Sequence, residues 1–221
     1  MKKSQIAIID YGMGNLYSVK RACEQAGISP VVTCDKAAIL NAAAAILPGV
    51  GAFGNAMQNL KKNDLIIPIK EFIESGKPFM GICLGMQLLM SASEEFGYHE
   101  GLDVIKGMVV EFPSAGDNNK KIKVPQVGWN RITAPTESSR GLWPKTPLKN
   151  IKDGAFMYFV HSFYTKPFDA QKVLSISNYE GIEYCSSILW KNVFACQFHP
   201  ERSAHDGLKI YKNFLSITNI Y

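Results

Sequence analysis

Short, continuously apolar runs alternate with amphipathic stretches through the first half of the chain. Residues 5–9 (Gln-Ile-Ala-Ile-Ile) make an apolar run of strand length, closed by the turn-rich Asp10-Tyr11-Gly12-Met13-Gly14. Asn15 then offers a cap to a helix whose apolar positions Leu16, Val19, Cys23 and Ala26 keep helical spacing, with Gly27 as its stop. Residues 30–33 predict a second strand, a helix follows from about Asp35, and 44–47 predict a third strand that runs into Pro48-Gly49-Val50-Gly51. Helical stretches at 55–60 and 65–75 lead through Gly76 to another buried strand at 78–82. Strands and helices alternating through tight turns predict an α/β fold, with a parallel sheet covered on both faces.

The second half changes period. Residues 104–112, 123–134, 155–164, 172–178 and 186–198 read as strands, several of them antiparallel because their connections are short. Residues 206–217 read as a closing amphipathic helix. No repeat, low-complexity tract or linker intervenes, which predicts one mixed-sheet domain over residues 1–221. A hydrophobic share of 47% with 19% charged residues excludes intrinsic disorder. A chain of 221 residues buries enough surface to fold without disulfide or metal staples.

No apolar run nears the roughly 18 residues of a membrane span. Asp10 and the glycine turn cut short the apolar stretch behind Met1-Lys2-Lys3, which argues against a signal peptide. Five cysteines without a Cys-x-x-Cys pair indicate reduced thiols, and a cytoplasmic location is expected. The net charge of +5 is too mild to argue for nucleic acid. Lys120, Lys121 and Lys123, beside Asp117-Asn118-Asn119, read as a solvated hairpin tip.

Gly81-Ile82-Cys83-Leu84-Gly85 is the strongest chemical signal. It falls where a buried strand ends and a helix is predicted, with Leu84, Gln87, Leu88 and Met90 continuing it. The spacing is that of a nucleophile elbow with cysteine at its apex. Side chains two residues either side of that strained turn would collide, which calls for glycine at both. Exposed amides at the helix start favour a Cys83 thiolate, and the Leu84 amide points toward any oxyanion formed by its attack. Cys23, Cys34, Cys185 and Cys196 read as structural.

A thiolate nucleophile calls for a base, and His199 ends the apolar run Val193-Phe-Ala-Cys-Gln-Phe198 and opens a turn at Pro200 toward Glu201. Catalytic groups gather at the carboxyl ends of strands in open α/β sheets, where both Cys83 and His199 fall. Glu201 is near enough to orient the imidazole. His99 and His205 read as exposed, and His161 as a structural or substrate-side residue. Gly49-Val50-Gly51-Ala52-Phe53-Gly54 fits the dinucleotide fingerprint but follows the third strand, and Glu71 and Glu74 beyond it belong to a helix. Its better use is a second backbone donor facing Cys83. Cys196 and His199 alone make no metal ligand set, so no metal or cofactor is expected. The residues therefore point to acyl transfer through a thioester, with water as final acceptor.

Gly81-Ile-Cys-Leu-Gly-Met-Gln87 with Gln197-Phe-His-Pro-Glu-Arg-Ser203 resembles the triad (class I) glutamine amidotransferases. That resemblance implies a three-layer α/β fold with a mixed, mostly parallel sheet, helices on both faces and an antiparallel extension. It also implies Cys83 as nucleophile, His199 and Glu201 completing the triad, and L-glutamine as substrate. Asp10-Tyr-Gly-Met-Gly-Asn15, Pro48-Gly-Val-Gly-Ala-Phe-Gly54, Val124-Pro-Gln-Val-Gly-Trp-Asn130 and Tyr158-Phe-Val-His-Ser-Phe163 further resemble the glutaminase subunits of imidazole glycerol phosphate synthases, along the whole chain.

By that likeness Val50 and Gly51 join Leu84 in an oxyanion hole, and Gln87, Ser162 and Phe163 hold the glutamine. Gly12, Asn15, Trp129 and Asn130 are expected near a partner, a separate (β/α)₈-barrel cyclase in a heterodimer. Released ammonia is useful only where an acceptor waits, and one amidotransferase unit takes up all 221 residues, so the acceptor is expected on that other chain. Two positions depart from the pattern: Gln126 where histidine is frequent and Arg202 where lysine is common. The chain is also similar to a branch of the same family that implies an alternative: the same glutaminase chemistry supplying ammonia to a sugar amidotransferase in surface-polysaccharide synthesis.

Overall fold

The computed structural model describes residues 5–114 and 122–215. Its first half runs β1 (Gln5–Ile9), α1 (Leu16–Gln25), β2 (Ser29–Thr33), α2 (Lys36–Asn41), β3 (Ala44–Gly49), α3 (Phe53–Lys62), α4 (Ile66–Glu74) and β4 (Phe79–Cys83). Then come α5 (Leu84–Leu88), β5 (Met90–Ser93), β6 (His99–Glu100), β7 (Ile105–Glu111), β8 (Gln126–Ile132) and α6 (Glu137–Leu142). The chain continues through β9 (Ala155–His161), β10 (Phe163–Pro167), β11 (Val173–Tyr179), β12 (Ile182–Trp190), β13 (Val193–Cys196) and α7 (Ala204–Phe214).

A seven-stranded sheet, ordered β11-β12-β13-β4-β3-β1-β2, forms the frame. The five strands from β13 to β2 are parallel, and β12 and β11 extend them antiparallel. β1, β3 and β4 are apolar on both faces because helices cover both. Ile6, Ile8, Ile46, Met80 and Ile82 face one core with Val19 and Cys23 of α1 and Ile210 and Phe214 of α7. Ala7, Ile9, Ala45, Leu47 and Phe79 face the other with Ile39, Leu60, Ile69 and Phe72 from α2, α3 and α4. This is the two-residue period of a strand buried on both sides. The Asn15 side chain caps α1 by accepting from the Ser18 N–H at 3.2 Å, and Gly27 beyond it has φ +81°. Among the described residues, no helix is long and apolar enough to cross a membrane.

Several expected boundaries change. The helix after Cys83 ends at Leu88, and Met90 begins a strand that pairs in parallel with β7. Residues 155–164 are two strands: β9 pairs with β8, while β10 joins a second sheet ordered β10-β7-β5-β6. The strand expected at 123–134 starts at Gln126, since Pro125 has no N–H to give a ladder. Residues 186–198 contribute to a hairpin of β12 and β13, turned at Lys191 with φ +51°. β6 was not anticipated. Lys120 and Lys121, and the end of the helix predicted to 217, lie outside the described residues.

Candidate active site

The carboxyl ends of β3, β4 and β13 converge on a cavity of about 330 Å³. Cys83 ends β4 at φ +54°, ψ −111°, a conformation that costs a non-glycine residue energy and is held by its surroundings. The glycines two positions either side have the expected steric cause. A Cβ on Gly81 would meet the Gly85 carbonyl at 3.0 Å, and one on Gly85 would collide with the Leu47 carbonyl oxygen. Gly49 at the end of β3 and Gly54 beyond it are also accounted for without a dinucleotide. Gly49 lies against the Tyr11 hydroxyl and Leu84, and Gly54 lies against the His99 ring. His99 is therefore half-buried rather than simply exposed.

Beyond β13, the His199 N–H donates to Tyr158 O at 2.8 Å, and its carbonyl accepts from Ser203 Oγ at 2.7 Å. The Tyr158 N–H donates in turn to Ser203 Oγ at 3.0 Å, so the turn holding the imidazole is braced by β9. Nδ1 of His199 meets Glu201 Oε1 at 2.7 Å, with both side chains buried. Burial opposes a charged imidazole here. The negative charge of Cys83, a hydrogen bond to it, and Glu201 outweigh burial and push His199 up to about 10. The arrangement can thus hold a thiolate–imidazolium pair backed by a carboxylate, the equipment for attack on an amide carbonyl and proton delivery to its nitrogen.

Cys83, His199 and Glu201 share this cavity with Val50, Gly51, Leu84, Gln87, Ser162, Phe163 and Asn15. Gly12, Trp129 and Asn130 are not in its wall. Trp129 is 53% exposed, and the Asn130 amide donates to Asn178 O at 2.8 Å. Two further wall or neighbouring residues escaped the sequence reading. Glu95 lines the cavity and accepts the Phe53 N–H at 2.5 Å, capping α3 from a distant loop with no local sequence signal. Gln197 donates from Nε2 to Cys83 Sγ at 3.6 Å and accepts from Gln87 Nε2 at 3.1 Å. Its signal was present: in extended chain it shares a face with His199, two residues on.

His161 is buried, and its Nδ1 lies 2.9 Å from the Phe163 carbonyl, an acceptor, so Nδ1 carries the proton. Burial lowers it to about 4, further helped by His199, although the bond to Phe163 opposes the shift. An unfolded histidine takes up its proton near 6.5, while the folded one waits until about 4. Its stabilising share is complete above pH 6.5 and is lost as pH falls toward 4. Urea unfolding from pH 7 down to 4.5 is expected to show a shallower acid-side decline in His161→Phe than in the parent chain. An unchanged slope would contradict a buried neutral imidazole.

A buried thiol at a strand–turn–helix elbow, facing a carboxylate-bound imidazole at the carboxyl ends of central strands in a mostly parallel sheet, defines a thiol-centred α/β enzyme. The chain belongs to the class-I glutamine amidotransferase family, whose profile matches residues 7–217. It is 46% identical over 210 residues to the imidazole glycerol phosphate synthase subunit HisH of Geobacter metallireducens, covering 95% of this chain and 96% of that protein. It is 48% identical over 210 residues to the protein of the same designation from Caldanaerobacter subterraneus subsp. tengcongensis, with the same coverage. Among solved structures, that of PurLQS from Thermotoga maritima superposes with a TM-score of 0.71 at 21% identity, over 96% of this chain and 98% of that one. A glutamine amidotransferase from the same organism gives 0.59 at 16% identity, over 96% and 84%. These two likenesses concern the fold.

Proposed function

We propose that this chain is the glutaminase subunit of an imidazole glycerol phosphate synthase. It hydrolyses L-glutamine to L-glutamate and ammonia, and hands the ammonia to a separate cyclase of histidine biosynthesis. The observation that carries this reading is near-full-length identity of 44–48% with relatives named as the HisH subunit of that synthase.

In the proposed mechanism, Gln87, Ser162 and the Phe163 backbone hold the glutamine in the cavity. Cys83 thiolate attacks the side-chain amide carbon, and the oxyanion is met by the Leu84 N–H and the turn at Val50 and Gly51. The His199 imidazolium passes its proton to the departing nitrogen, releasing ammonia and leaving a glutamyl thioester on Cys83. Neutral His199 then takes a proton from water. The hydroxide adds to the thioester, and glutamate leaves as the thiolate–imidazolium pair is restored. Glu201 keeps the His199 ring oriented through both halves.

Protonation in bulk water would leave ammonia non-nucleophilic, so the acceptor site must be reached without solvent. Asn15, Pro125, Val160 and Arg202 border the cavity, and the antiparallel β8–β9 pair that carries Val160 exposes Val127, Trp129 and Phe156 by half or more. An exposed apolar patch on a strand pair that reaches the cavity suits a docking partner. We assign it, with Gly12, Asn15, Trp129 and Asn130, to the (β/α)₈-barrel cyclase.

The test is glutamate release by the purified chain, alone and with the cyclase and its ribonucleotide ligand. Stimulation of roughly ten-fold or more is expected, the scale of ordinary coupling between sites. Absence of stimulation, with Cys83 still labelled by a glutamine-analogue electrophile, would keep the glutaminase and reject the cyclase as its partner.

A further inference from the structure

We propose that Gln197 is a catalytic residue of this site, its side-chain N–H stabilising the Cys83 sulfur as a thiolate. The inference rests on the reading of Cys83 as nucleophile, and it adds to the His199 imidazolium a second, uncharged donor to the sulfur.

The orientation of the Gln197 amide follows from acceptors that cannot change. The Phe163 carbonyl only accepts, so the Gln87 group 2.9 Å from it is the NH₂ end. The second hydrogen of that NH₂ reaches Gln197 at 3.1 Å, so Gln197 must present its oxygen there. Its NH₂ end is then left facing Cys83 Sγ at 3.6 Å. The opposite orientation would set two NH₂ groups against each other and an amide oxygen against the sulfur. The His161 Nδ1–H takes the other lone pair of the same carbonyl at 2.9 Å. The polarity of one backbone carbonyl is thereby passed through two amides to the reactive sulfur.

The sulfur also lies 3.8 Å from the Val160 carbonyl. These two neighbours favour opposite protonation states: a thiol can donate to Val160 O, whereas a thiolate can only accept, from Gln197 Nε2. A hydrogen bond to a charged acceptor is stronger than one to a neutral sulfur. Gln197 therefore favours the free thiolate before attack, and favours thiolate as the leaving group when water cleaves the thioester. It carries no charge of its own to compete with His199. A fully buried amide is costly unless it is bonded, and an apolar side chain of similar volume would fill the same space without that cost.

The test is the rate at which iodoacetamide modifies Cys83 in the full-length chain between pH 5 and 9, read on the Cys83 peptide by mass spectrometry. Gln197→Met keeps the volume and removes the donor. Gln197→Glu keeps the shape and replaces the donor with an acceptor. In Gln197→Met, modification at pH 7 is expected to slow roughly ten-fold and its pH midpoint to rise by about one unit. Gln197→Glu is expected to be slower still, and glutamine turnover to fall in the same order. A packing role would leave the rate and midpoint of Gln197→Met at the parent's values, because methionine fills the same buried volume. Gln87→Met, which frees the Gln197 amide to turn without altering it, is expected to slow modification less than Gln197→Met, and it keeps the test alive if a Gln197 variant does not fold.

Unchanged rate and midpoint in a folded Gln197→Met protein would overturn the proposal and leave the Cys83 nucleophile standing. A Cys83 that resists modification in the unaltered chain would overturn both.

Discussion

Cys83→Ala is expected to abolish glutamate release, by roughly 10⁴-fold or more, while the complex with the cyclase continues to use added ammonium salts. The loss is large because members of such a set act as a unit: without the sulfur, neither His199 nor the oxyanion donors have an intermediate to serve. The variant also carries a signature inside the site. The charge of Cys83 and the hydrogen bond to it are the leading causes that raise His199 to about 10. With both gone, burial is opposed by Glu201 alone, so His199 is expected to titrate well below 10 when followed by NMR. Glutaminase activity at the parent's level would reject Cys83 as nucleophile. A His199 that titrates unchanged would reject the ion pair while leaving the kinetic role open to the same assay.

The parts legible in the sequence are those where local pattern and tertiary context agree. β1, β3 and β4 are short apolar runs between turn signals, and burial on both faces is what such runs predict. The elbow was readable because sterics allow so few residue types beside a strained nucleophile. Boundaries failed where pairing partners decide. Residues 155–164 alternate without a breaker, yet His161 ends a strand on β8 and Phe163 starts one on β7, with Ser162 as the corner. Leu88, Leu89 and Met90 suit a helix or a buried strand equally, and β7 claims Met90. The turn between β12 and β13 places Lys191 at positive φ, where glycine or asparagine would have announced it. At the site, Cys83, His199 and Glu201 stood out by type and spacing. Glu95 did not, because its position acquires meaning only from Phe53, brought close by the fold; Gln197 shared a predicted strand face with His199, but its link to Gln87 exists only in the fold.

Gly85→Ala is expected to destabilise the chain by more than about 3 kcal/mol, at or beyond the upper end of ordinary overpacking. Its Cβ would fall on the Leu47 carbonyl oxygen, a backbone atom with no rotamer to change. Leu47 is fully buried in β3, which is paired on one side with β1 and on the other with β4. β3 therefore cannot retreat without opening the centre of the sheet. Relief has to come from α5, which carries Leu84 and Gln87 and follows directly on Cys83. Whatever fraction still folds should thus turn over glutamine poorly, since the proposed oxyanion donor and the amide that orients Gln197 move together. Gly141→Ala is the matched control: it lies in α6 with open space around it, and alanine there is expected to be neutral or slightly stabilising. Chemical denaturation of the two variants against the parent measures the difference. A Gly85→Ala chain as stable as the control would mean that β3 and the elbow do not pack as closely as their shared backbone contact implies.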